Sequence, residues 1–86
     1  PIFVSRNLSV VGIPKLIGRN QDTLKFFVKQ SKTHFESIGF NMAEHYEKLI
    51  QNSPIDIAYV IGENEWNGKK TIQLELRDIR LGKSYD

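Results

Sequence analysis

The chain contains no cysteine, which excludes a disulfide framework and any thiolate metal site. It has no apolar run near the ~20 residues needed to span a bilayer as a helix, and no secretory signal. A soluble, cytoplasmic protein is the default expectation. Repeats, low-complexity stretches and internal linkers are absent as well. Histidine is scarce: His34 and His45 stand alone, and neither sits at metal-ligand spacing with a second strong ligand. No nucleophile–base pair and no metal constellation is visible, so catalysis by this chain alone is not expected. Charge of one sign is also lacking, because 12 Lys and Arg against 10 Asp and Glu leave a net +2. The only methionine is Met42 and the first residue is Pro1. A piece of a larger protein is therefore expected, with the segments around Pro1 to Asn7 and Gly82 to Asp86 as connections.

What is present is a patterned small domain. Eighty-six residues make one domain, spanning 1–86, and a chain this short buries only roughly 60% of its unfolded surface. Hydrophobic residues form 40% of it and fall into strand-like runs. Asn7 to Gly18 reads as a long first strand, interrupted at Gly12 and Pro14 by a bulge or bend. Thr23 to Lys29 alternates, with Leu24, Phe26 and Val28 on a core face and Lys25, Phe27 and Lys29 on the other. Thr33 to Phe40 is a third strand. Ile38 and Phe40 are assigned to its core face, leaving Phe35, Ser37 and Gly39 outward. The short turn at Gln30-Ser31-Lys32 makes the second and third strands an antiparallel hairpin.

The period then changes. Asn41 followed by Glu44 has capping-box spacing, and Met42, Tyr46, Leu49 and Ile50 recur as on one face of a helix reaching Gln51. Asn52-Ser53-Pro54 stops it. A fourth strand carries Ile55, Ile57, Tyr59 and Ile61 on one face. A polar loop, Gly62 to Gly68, holds the only tryptophan, Trp66. The fifth strand, Thr71 to Ile79, points Ile72, Leu74 and Leu76 inward. Three strands, one helix and two strands give an all-β class: a small five-stranded Greek-key barrel of the OB (oligonucleotide/oligosaccharide-binding) type, with the helix between strands three and four.

Particular stretches carry a family resemblance. Ser5-Arg6-Asn7 with Val11-Gly12, and Ile38-Gly39-Phe40-Asn41-Met42, resemble the OB domain of RecJ-type single-stranded-DNA-specific exonucleases of the DHH phosphoesterase superfamily. So do Asp56-Ile57-Ala58-Tyr59, Glu63-Asn64-Glu65-Trp66-Asn67-Gly68, Gln73-Leu74 and Asp78-Ile79-Arg80, in order along nearly the whole chain. The resemblance implies an accessory domain that grips DNA. Its catalytic partner domains, of DHH type, would bind Mn²⁺ or Mg²⁺ and degrade single strands from the 5′ end in recombination and repair. This chain has no Asp-His-His run, so the resemblance places any catalysis elsewhere, and no cofactor belongs to this domain.

Single strands are held by positive charge along the backbone and aromatic rings under the bases. Lys25, Phe27 and Lys29 supply that composition on one strand face, and Phe35 is expected beside Phe27 as a second stacking ring. Both rings also admit a packing reading, against the core or a neighbouring domain. Trp66 lies in the loop between strands four and five, which commonly lines an OB cleft. It either stacks a base or packs back onto the barrel, with Asn67-Gly68 as a turn. Glu63 and Glu65 beside it oppose phosphate, whereas Lys69 and Lys70 favour it. Arg6 and Arg19 are expected to flank the cleft. The expected partner is single-stranded DNA, the isolated domain is expected to be monomeric, and no membrane partner is expected. A protein-docking module and another OB family are the alternatives.

Overall fold

The computed structural model describes residues 1–82; the connection expected at the C-terminal end lies almost wholly outside them. Strand β1 (Phe3–Ile17) is long because it serves two neighbours. Its first part pairs antiparallel with β4 (Ile55–Trp66), from Phe3 opposite Tyr59 to Leu8 opposite Ile55. Its second part pairs with β2 (Thr23–Gln30), from Ser9 opposite Lys29 to Ile17 opposite Thr23. Two irregularities bend it. Asn7 takes a positive φ of 58° and donates its N–H to Asp56 Oδ1 at 2.9 Å. The register then slips between Val11 and Lys15, where Gly12 has φ 72° and Pro14 has no N–H to give the ladder. The expected interruption is there.

Strand β3 (Thr33–Gly39) pairs antiparallel with β2 across the Ser31-Lys32 turn, and β5 (Lys69–Leu81) pairs with both β3 and β4. The order β1-β2-β3-β5-β4 closes on itself, and among the described residues only the β3–β5 pair is parallel. Leu8, Leu24, Phe26, Val28, Ile55, Ile57, Leu74, Leu76 and Ile79 fill the interior. Three inward residues of β5 break strict alternation because Ala58 faces Asp78 while Tyr59 faces Leu76, which leaves Arg77 as a bulged extra residue.

The structure corrects the sequence reading at four places. First, β3 is turned over. Phe26 lies opposite Ser37 and Val28 opposite Phe35, so Phe35, Ser37 and Gly39 face inward. Ser37 is fully buried and Phe35 packs on the core. Phe40, expected in the core, is 64% exposed. A side chain at Gly39 would collide with Met42 Sδ at 2.8 Å, so the small residues make room for the helical segment. Second, that segment is shorter than expected: a 3₁₀ turn at Ala43–His45 and a single helical turn α1 (Tyr46–Leu49). Asn41 has φ 56°, and the N-cap position falls to Met42, whose side chain makes no capping bond. A cap needs an extended backbone there; instead the chain reverses and Met42 N–H bonds Asp22 O at 3.1 Å. Met42 and Leu49 still plug one end of the barrel, while Ile50 is exposed.

Third, there is no polar loop at Gly62 to Gly68. Strands β4 and β5 run on as a two-stranded ribbon to a two-residue turn, Asn67-Gly68, whose φ values of 50° and 77° belong to a type I′ hairpin. Fourth, Ile72 sits in this ribbon and is exposed. Among the described residues no helix is long and apolar enough to cross a membrane.

Candidate nucleic-acid interface

Residues opposite one another in a ladder share a face, so register decides which side chains meet. Across the outer surface one row reads Val11, Phe27, Glu36, Gln73 and Gly62. The next row is Lys15, Lys25, Ile38, Glu75 and Val60. On the other side of Phe27 lie Ser9, Lys29 and His34. Phe27 is 44% exposed, so its ring keeps an open face at the centre of this surface. Two residues further along the ribbon come Asn64 and Thr71, and then Trp66 and Lys69. Four residue steps put Lys69 roughly 13 Å beyond Gln73. Trp66 is 74% exposed and does not pack back onto the barrel.

This arrangement sorts the expected site residues. Lys25, Phe27, Lys29, Trp66 and Lys69 share the outer face. Phe35 does not: it is on the inner face and lines a cavity of about 160 Å³ at the barrel end, with Ser5, Gln30 and Tyr59. Lys70 pairs with Glu65, and Ile72 with Glu63, on the opposite face of the ribbon from Trp66. The two glutamates that flank Trp66 in sequence therefore point away from its face. Arg6 sits in the part of β1 that pairs with β4, on the far side of the barrel from β3. Arg19 stands in the β1–β2 turn, at the helical end beyond Lys25.

Sequence reasoning missed several members of the surface. Lys15 lies opposite Lys25, and the signal for it was hidden by the bulge that resets the alternation of β1. Lys32 stands exposed in the β2–β3 turn beside Lys29. Glu36 is the main surprise. Its Oε1 accepts from Gln73 Nε2 at 2.7 Å, and its Oε2 lies 3.7 Å from Lys25 Nζ. An acid thus sits at the centre of a lysine-bordered surface, directly across from Phe27.

Away from this face, His45 Nδ1 accepts from Lys48 Nζ at 2.9 Å, and Lys48 also donates to Ile79 O at 3.1 Å. At Asp78 partial burial opposes ionisation, but it is outweighed by the Ile79 N–H, by Arg80 Nε at 3.2 Å, and by the positive charge of Arg80. The carboxyl is held below its ordinary value. A groove of about 380 Å³ runs between the β1 bulge and α1, lined by Ile13, Pro14, Leu49, Ile50 and Pro54 and by no charged side chain. Among the described residues no three His, Cys, Asp or Glu side chains gather where they could hold a metal.

A closed five-stranded barrel with one pair of parallel strands, plugged at one end by a short helix after the third strand, is an OB fold. Solved structures agree. The SSB domain of a Synechococcus sp. protein superposes with a TM-score of 0.66 at 15% identity, covering 91% of each chain. A mitochondrial single-stranded DNA binding protein from S. cerevisiae superposes with a TM-score of 0.65 at 11% identity, covering 94% of each. The family is narrower than the fold. The RecJ OB domain model matches residues 1–78, so this chain belongs to the RecJ OB domain family and is not a catalytic domain. The single-stranded-DNA-specific exonuclease RecJ of Bacillus subtilis (strain 168) is 32% identical over 65 residues, which are 76% of this chain and 8% of that protein. The chain thus spans a small part of the curated relative it matches.

Proposed function

We propose that this domain holds single-stranded DNA on its outer β2–β3–β5 face and along the β4–β5 ribbon. It does so as an accessory of a RecJ-like, cytoplasmic 5′–3′ exonuclease acting in recombination and repair, whose catalytic domains stand elsewhere in the parent protein. One observation carries the reading: register brings Lys25, Phe27, Lys29, Trp66 and Lys69 onto one surface. Exposed rings supply stacking that any base accepts, and the lysines supply attraction to any phosphate. Such a surface binds without strong regard to sequence and weakens as salt rises. Family membership and the fold shared with single-strand-binding proteins support the same reading.

The test is fluorescence anisotropy of labelled oligo-dT against the folded domain at low and moderate salt. Saturable binding that falls with salt is expected. No binding at low salt would overturn the proposal for this domain. A second reading, docking on another domain of the parent, is favoured by the uncharged groove where Ile13 and Ile50 are exposed.

A further inference from the structure

Glu36 is hard to explain as part of a surface that only attracts phosphate. It lies directly across from Phe27, where side chains of opposed strands stand with Cβ atoms roughly 4.5–5.5 Å apart. Its carboxylate is oriented by Gln73 Nε2, at 2.7 Å from Oε1. Lys25 Nζ at 3.7 Å from Oε2 is attracted but outside hydrogen-bond distance, so that oxygen keeps its acceptor sites. A base stacked on Phe27 therefore presents its edge to a fixed acceptor with a cation beside it.

We propose that Phe27, Glu36 and Lys25 form a base-reading subsite that prefers guanine. The inference rests on the single-strand reading above and adds a preference to it. The reason is the pattern of donors on each exposed Watson–Crick edge, which single strands leave free to be read. Guanine offers two adjacent donors, N1–H and the N2 amino group, next to the O6 acceptor. A carboxylate accepts from both donors, and a lysine ammonium donates to O6. Oε1 has two acceptor sites, so it can keep the Gln73 bond while receiving one of them. Thymine sets its single N3–H between two carbonyl oxygens, which a carboxylate repels. Adenine and cytosine each place a ring acceptor beside their amino group. The lysines elsewhere on the face read only phosphate, so the preference belongs to one nucleotide position.

The experiment compares the affinity of the folded domain for alternating thymine–guanine, thymine–inosine and thymine–adenine single strands of equal length. Inosine differs from guanine only by lacking the N2 amino group. The guanine strand is expected to bind about fivefold tighter than the inosine strand, the low end of what a bidentate base contact gives. Glu36→Gln, checked for native circular dichroism, is expected to reduce that ratio to below about twofold, because it replaces one acceptor oxygen of the carboxylate by an amide donor. A residue that only holds Lys25 in place would leave the guanine-to-inosine ratio unmoved. Equal binding of all three strands by the unsubstituted protein overturns the subsite and leaves the single-strand reading intact. A ratio that survives Glu36→Gln overturns the role of Glu36. Failure to bind any strand overturns the single-strand reading, and the subsite with it.

Discussion

Ser37→Ala is expected to make this domain more stable. Ser37 stands at 0% exposure in the middle of β3, facing Phe26, and its Oγ has no hydrogen-bond partner among the described residues. A buried hydroxyl left unpaired costs about 1–3 kcal/mol of desolvation. Alanine removes that cost and leaves a gap about the size of one oxygen atom. At about 24 cal/mol per Å³, a void of roughly 10 Å³ takes back only about 0.2 kcal/mol. A net gain of about 1 kcal/mol raises Tm by roughly 4–8 °C for a domain of this size. Thermal unfolding followed by far-UV circular dichroism measures it, with oligo-dT anisotropy in parallel. Affinity should not change, because the side chain points away from the outer face. A Tm that falls by several degrees would refute the reasoning: it would mean that the hydroxyl is bonded in the folded protein, or that β3 presents its other face to the core. A stability gain accompanied by lost DNA affinity would place the binding surface on the inward-facing side of β3.

Phe27→Ala should weaken oligo-dT binding by about 1–3 kcal/mol if the ring stacks a base, while Tm stays nearly constant because the ring is partly exposed; unchanged affinity would reassign Phe27 to packing. Lys69→Ala should lower the slope of log K against log salt by about 0.7, the share of one phosphate on a single strand. Lys70→Ala, on the other face of the ribbon, should leave that slope alone, and equal effects from the two would contradict the register. Asp78→Asn should lower Tm at neutral pH. The Asp78 pKa is depressed in the folded state, so its contribution is present above the ordinary carboxylate value and is lost as pH falls through the lowered one. The Tm difference should therefore close in acid, and a difference independent of pH would show that the charge of Asp78 is not what stabilises the fold.

Local features were legible wherever a single strand contained its own answer. In β2, Leu24, Phe26 and Val28 alternate against Lys25 and Lys29, and no other placement buries the aliphatic set. Asn67-Gly68 announced a tight hairpin turn, and Gly12 with Pro14 announced the break in β1. Strand β3 contained no such answer. One of its faces has a single large apolar residue, Phe35, with the small Ser37 and Gly39, whereas the other has Ile38 and Phe40 beside Glu36. Hydrophobicity alone preferred the wrong one.

Order of elements, strand alternation and turn chemistry were therefore settled by the sequence itself, because each depends on residues a few positions apart. That was enough for the class of barrel and for Lys25, Phe27 and Lys29 as a candidate surface. Which residues join them was decided only when the barrel closed. Closure turned Phe35 inward against Val28 and set Gly39 against Met42, where a side chain would collide. It extended the ribbon so that Trp66 and Lys69 fell on one face and Glu65 and Lys70 on the other. It also set Glu36 between Phe27 and Gln73, which are 46 residues apart in the chain and meet across β3 through ladder pairing. Pairing register between distant strands is a property of the closed sheet, and no pattern within one strand encodes it.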